Sequence, residues 1–214
     1  MKYLAVIGML VFSLGVFAQD ETAYIELKNQ GNEALRSKNF AEALTSYESA
    51  VDQWPEGEEM DAAMVFNMAT SARRVKNYEK ALKYYRESVE LGYRPDYSTY
   101  YVASSLNSLG REDEMEEVLL KAIKDYKTSS VAGHMKKMLT KHYLKQGAEP
   151  FNRAAQILAS AANADPSQYE EITARSNEAF AEAKPWFEKA LAIDPGNENA
   201  QASLREVNSR LSAE

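Results

Sequence analysis

The 214-residue sequence predicts an all-α protein, a solenoid of antiparallel helix pairs. Three observations carry that prediction. Small and aromatic residues return about every 34 residues. Short polar or glycine turns punctuate the segments between them, which sets neighbouring helices antiparallel. No stretch of useful length alternates with the period of two that a strand requires.

The first helix pair is read from Tyr24. Gly31 lies where two helices must approach closely, Phe40 opens the second helix, Ala43, Tyr47 and Ala50 line its inner face, and Pro55 ends the unit. The next copy shows Ala69, Tyr78, Ala81, Tyr85 and Ser88 and closes at Pro95; a weaker third runs through Ala103, Gly110, Met115, Leu119 and Ala122. Alanines at i and i+7 with an aromatic at i+4 make a narrow helix face that only a tightly stacked partner fills. Helices are expected over residues 22–37, 41–53, 60–75, 78–91, 97–109 and 113–127. The turns fall at Lys38-Asn39, 54–57, Lys76-Asn77, 92–96 and Gly110.

These residues resemble the tetratricopeptide repeat, with its small residue on the first helix, alanine and aromatic on the second, and closing proline. The resemblance implies a right-handed superhelix with repeats at about 24–57, 62–95 and 96–129. It also implies a concave surface, lined by the first helix of each repeat, that grips an extended peptide or a partner helix.

The C-terminal third departs from the period. Residues 131–146 read as a helix, Gly147-Ala148-Glu149-Pro150 as an interruption, and 151–163 as its resumption. Asp165-Pro166-Ser167 is a stop, with Ser167 placed to cap a helix over 168–193 that contains Pro185. Residues 131–196 thus form either a fourth repeat or an extended one with an inserted helical hairpin, and the missing turn signal between Tyr169 and Pro185 favours the hairpin. The run Ala183 to Leu191 followed by Asp194-Pro195-Gly196-Asn197 resembles the end of exported tetratricopeptide proteins of Bacteroidota-type envelopes. Residues 198–212 read as a capping helix, with Ala202, Leu204, Val207 and Leu211 turned inward.

Residues 1–18 read as a signal peptide: Lys2, an apolar run from Leu4 to Phe17 that is short for a bilayer span, and Val16 and Ala18 before the cut. Retention as an N-terminal anchor is the alternative. With no cysteine in the chain, neither a disulfide nor a lipid-modified cysteine is available, so a periplasmic or secreted protein is expected. The 32 acidic against 25 basic residues, a net charge of -7, argue against phosphate-backbone binding and hence against a nucleic-acid partner.

No motif announces catalysis. There is no phosphate-binding glycine loop and no Gly-x-Ser-x-Gly elbow, so neither an enzyme nor a cofactor is expected. His134 and His142 lie two turns apart on one helix, too far for one metal, and read as solvated or groove-lining. The acidic runs 56–59 and 112–117 read as solvated outer faces.

The groove implied by the resemblance takes Lys28, Asn32, Leu35 and Arg36 from the first repeat, Phe66, Asn67, Thr70 and Arg74 from the second, and Tyr97, Tyr101, Ser104 and Asn107 from the third. His134, Lys137 and Lys141 follow on the next helix. Lys28, Asn32 and Asn67 match the carboxylate clamp of co-chaperone tetratricopeptide domains, but its two remaining cations are replaced by Tyr97 and Tyr101. A cationic, aromatic inner stripe set against Glu42, Glu48, Glu79, Glu87 and Glu90 on the second helices would guide an acidic or C-terminal peptide inward. The expectation is a non-catalytic protein-interaction scaffold. Two other readings stay open: a small-ligand or glycan-binding protein stacking its ligand on Tyr97, Tyr100 and Tyr101, or a regulatory subunit of an envelope enzyme.

Overall fold

The computed structural model describes residues 14–212, and the chain divides into two compact units, the first ending at Arg111 and the second beginning at Glu112. The described residues are helical, without strands. The expected signal peptide lies outside the described residues up to residue 13. No helix among the described residues is long and apolar enough to cross a membrane.

The first unit holds α1 (Leu14–Arg36), α2 (Phe40–Asp52), α3 (Ala62–Arg74), α4 (Tyr78–Glu90) and α5 (Pro95–Ser108). Each packs on the next, and α1 also touches α3. Ala43, Tyr47, Ala50, Ala69, Ala81, Tyr85, Ser88 and Ala103 are all fully buried, the positions that the repeat pattern assigns to the core. Gly31 is a close-approach glycine: a methyl group there would stand 2.6 Å from the Tyr47 ring. The buried Ser88 hydroxyl meets Ser98 at 3.0 Å and donates to the Tyr93 carbonyl at 3.1 Å.

The spacing between the first two repeats is longer than the sequence period suggests. Tyr47 and Tyr85 are 38 residues apart, because nine residues link α2 to α3 where four link α4 to α5. The turns after α1 and α3 are each closed by one residue in the left-handed region, Lys38 at φ 59° and Lys76 at φ 61°, and Gly110 at φ 72° follows α5. Asp61 and Asn77 cap α3 and α4 by accepting from the Met64 and Lys80 amides. Pro95 does not close the second repeat; it is the first residue of α5, where its missing N–H leaves no bond unmade.

The second unit holds α6 (Glu112–Asp125), α7 (Ala132–Ser160), two single 3₁₀ turns (Ala161–Asn163 and Pro166–Gln168), α8 (Tyr169–Ile193) and α9 (Glu198–Leu211). Helices α7 and α8 form a long hairpin covered by α9. The expected interruption at 147–150 is absent, and α7 runs through it. Gly147 serves packing instead, since a methyl group there would lie 2.9 Å from Phe187 and 3.1 Å from the Trp186 Cβ. Buried Pro150 forfeits one backbone bond, and the apolar layer of Ala154, Ala179, Phe180, Ala183, Phe187 and Val207 beside it keeps the helix continuous. Asp165 rather than Ser167 makes the cap, in a reciprocal box with Gln168. On α9 the inward alanine is Ala200, and Ala202 is exposed.

The acidic start of α6 is not a solvated face throughout. Glu112 and Glu116, one turn apart, flank the buried His142 of α7, whose Nδ1 and Nε2 stand 3.6 and 3.4 Å from their carboxylates. Glu112 also takes Lys145 and Gln146; Glu116 accepts the Tyr143 hydroxyl at 2.8 Å and pairs with Lys189 of α8 at 3.3 Å. The Lys145 bond holds the Glu112 carboxyl below its ordinary range. Burial alone would raise Glu116, but Tyr143 and Lys189 outweigh it and the net direction is down.

Two outcomes follow from this packing. Gly31→Ala is expected to lose about 2–3 kcal/mol in urea unfolding, because the Tyr47 ring has no room to yield, whereas exposed Gly133→Ala stays near neutral. For Glu112 and Glu116, both titrating lower folded than unfolded, the stabilisation is complete at neutral pH and is lost as pH falls through and below about 4.3. The fall in urea midpoint between pH 7 and pH 3.5 is therefore expected to be smaller in an E112Q/E116Q variant.

Candidate functional site

On α1 and α3 the stripe expected to be free is largely committed to the fold. Lys28 Nζ pairs with Asp61 at 3.2 Å. Burial alone would raise the Asp61 carboxyl; the Met64 amide and the Lys28 ammonium reverse that and hold it below the usual range. The Tyr47 hydroxyl donates to Asn32 at 2.9 Å, and the Asn67 side chain lies near enough to lower its pKa slightly against the effect of burial. Burial pushes this phenol up to about 12, so it stays a neutral donor at any physiological pH. Two of the three residues that match a carboxylate clamp, Lys28 and Asn32, are thus engaged within the protein.

Arg36 and Arg74 lie off the stripe. Arg36 is three-quarters exposed and pairs with Glu33 one turn back, while Arg74 is exposed with its guanidinium 5.2 Å from the Phe40 ring. Asn107 is exposed at the end of α5. His134, Lys137 and Lys141 are exposed on α7 of the second unit. His142, expected to be solvated or to line the groove, is buried between its two glutamates because α6 packs over it.

What the first unit does bring together is an aromatic cluster with two guanidinium groups. Phe66 on α3 sits edge-on to Tyr85 at 5.6 Å and to Tyr93 at 5.7 Å, and 6.4 Å from Tyr101. Tyr101 on α5 stacks on Tyr85 at 5.0 Å with a 25° tilt, and Tyr100 leans on Tyr101. Arg73 lies 4.6 Å over the Tyr101 ring with its Nε 3.4 Å from the Tyr85 hydroxyl, which also meets Thr70 at 3.1 Å. Arg94 lies 4.3 Å over Tyr97 and 5.3 Å from Phe66. Phe66 and Tyr85 are buried, whereas Tyr93, Tyr97, Tyr100, Tyr101 and Arg73 are half-buried and Arg94 is exposed. Each ring interaction of this kind contributes roughly 0.5–1.5 kcal/mol and fixes ring orientation.

Arg73 and Arg94 are the residues that sequence reasoning missed. Arg73 is seven residues, about two turns, beyond Phe66 and so lies on its stripe; Arg74 is ~100° further round. Helical phase would have selected the first over the second. Arg94 carried no such signal, because it is the cap of α5 in the left-handed conformation, φ 46° and ψ 53°.

The second helices are less uniformly acidic than the sequence suggests. Glu48 accepts the Tyr84 hydroxyl at 2.7 Å and pairs with Lys80, tying α2 to α4, and Glu79 pairs with Arg111. Part of the acidic face expected on the second helices is therefore neutralised by pairing within the protein.

Stacked helix pairs closed by an alanine and a buried tyrosine define the class of helical-repeat proteins. Residues 28–92 match the tetratricopeptide-repeat family model, so that stretch of the first unit carries tetratricopeptide repeats. Among solved structures it is similar to a tetratricopeptide-repeat protein of Bacteroides fragilis, 19% identical, covering 88% of this chain and 99% of that one with a TM-score of 0.54. A Bacteroides ovatus protein is 14% identical over 88% of this chain and 98% of its own, with a TM-score of 0.49. The TPR2AB domain of yeast Sti1, in a pHSP90 complex, is 17% identical over 88% and 84%, with a TM-score of 0.44. No curated protein matches the chain.

Proposed function

We propose that this protein is a non-catalytic protein-interaction scaffold of the bacterial cell envelope, exported as a periplasmic or secreted protein, that binds a peptide segment or partner helix on the face shared by α1, α3 and α5. The observation that carries this reading is the half-buried cluster of Tyr93, Tyr97, Tyr100 and Tyr101 with Arg73 and Arg94. Aromatic and arginine side chains on a rigid helical face are the residues that dominate protein interfaces, because they bring large contact area at low conformational cost. The stack beneath them is preorganised, which keeps the entropy lost on binding small. A sugar-stacking platform is less well supported, since Tyr101 is already engaged by Tyr85 and Arg73 and Tyr97 by Arg94.

A partner captured from solubilised envelopes with the chain lacking residues 1–18 would be purified and titrated against the same protein carrying Tyr97→Ser and Tyr100→Ser. A loss of at least tenfold in affinity, with the helical circular-dichroism signal unchanged, is the expected outcome. Equal binding by the variant would move the interaction off this face.

A further inference from the structure

Resting on the interaction reading above, we infer that this face holds its partner through internal Asp or Glu side chains, received by Arg73 and Arg94, and not through a chain-terminal carboxylate. The charge pattern of the inner face supports that choice. Several cations elsewhere in the first unit already have carboxylate partners: Lys28 has Asp61, Arg36 has Glu33, Lys80 has Glu48 and Arg111 has Glu79, while Arg74 and Lys83 each lie over a single ring outside the cluster, Phe40 and Tyr84. Among the described residues Arg73 and Arg94 pair with no carboxylate, and rest on aromatic rings instead.

A guanidinium over a ring face keeps in-plane N–H groups at its edge for a carboxylate, and at Arg73, whose Nε is turned to the Tyr85 hydroxyl, the two terminal nitrogens make that fork. Both cations meet the same aromatic group, Arg73 on Tyr101 and Arg94 on Tyr97 and Phe66, with Phe66 and Tyr101 in contact. An acidic side chain on each side of an apolar residue would match that order of charge, ring and charge. Arg94 is held there by a left-handed backbone, φ 46°, that strains an arginine and that glycine would fill without strain.

Recognition of a chain terminus would need the other end of the face, and that end is occupied. A terminal carboxylate arriving at Lys28 would have to displace Asp61, itself fixed to the Met64 amide, and Asn32 is tied to the Tyr47 hydroxyl. The ligand chemistry that fits is an acidic, aromatic-bearing internal segment.

The test uses a blocked peptide, Ac-Gly-Glu-Phe-Glu-Gly-Ala-Ala-NH2, its double-glutamine counterpart, and the glutamine peptide with a free C-terminal carboxylate. Each is titrated into ¹⁵N-labelled protein and into the R94Q, R73K and R94K variants, the first at an exposed position and the other two retaining charge. The acidic amide is expected to shift amide signals around residues 73, 94, 97 and 101, to bind at least tenfold tighter than the glutamine amide, and to lose most of that margin in R94Q. The lysine variants should weaken it severalfold, because a point charge cannot fork. Equal binding of glutamate and glutamine peptides would overturn the inference while leaving the face a binding surface. So would binding that depends on the free terminus and disappears in Lys28→Ala. If no peptide shifts the face, and the envelope partner binds equally to the Tyr97→Ser, Tyr100→Ser variant, both the inference and the reading beneath it fall.

Discussion

A buried tyrosine on the second helix of each pair is the constraint on which the first unit depends. Its ring needs a flat, small-residue bed, which Gly31 gives Tyr47, and its hydroxyl needs a partner because an unpaired one inside the protein costs roughly 1–3 kcal/mol. Both demands point at the first helix of the same pair. Tyr47 reaches Asn32 and Tyr85 reaches Thr70, each fifteen residues back, so the two bonds set the same register in successive pairs although the linker before the second is longer. The hydroxyl emerges on the inner face, and there the structural and functional roles meet. In the first pair it ties up Asn32; in the second it anchors Arg73, and its ring stacks on Tyr101.

The second unit is organised around the opposite element, a charged seam. Two carboxylates on α6 collect His142, Tyr143, Lys145 and Gln146 from α7 and Lys189 from α8, and the apolar layer of the hairpin takes over beyond Gly147. Charge supplies register here, whereas apolar burial supplies most of the stabilisation. The hairpin can be long because its aromatic layer is continuous: Phe151 contacts Phe180 at 5.4 Å and Phe187 at 5.9 Å.

The core of the repeats was legible because packing at i, i+4 and i+7 tolerates only a small, aromatic, small order, and Ala43, Tyr47 and Ala50 carry it openly. Gly147 and Pro150 were misread as a break, since a glycine demanded by an approaching ring and a glycine demanded by a turn look alike in sequence. Only the position of Phe187, forty residues on, distinguishes them. Glu112 and Glu116 were misread for the same kind of reason: whether a carboxylate faces solvent or a neighbouring helix is decided by long-range packing. At the candidate site, residue type was legible and phase was used too loosely. The partners of Lys28, Asn32, Phe66, Tyr97 and Tyr101, which include Asp61, Tyr47, Arg94 and Arg73, decide what each is free to do.

That last distinction separates a surface that looks cationic from one that can bind an anion. Lys28 contributes charge but begins in an ion pair, so an incoming carboxylate exchanges one partner for another, and the net gain is small. An arginine resting on a ring begins without an opposing charge, and its guanidinium keeps both the ring contact and its forked donors when a carboxylate arrives. The two kinds of cation are indistinguishable by count. They differ in the free energy released when an anion binds, and Arg73 and Arg94, which share one aromatic group, are both of the second kind.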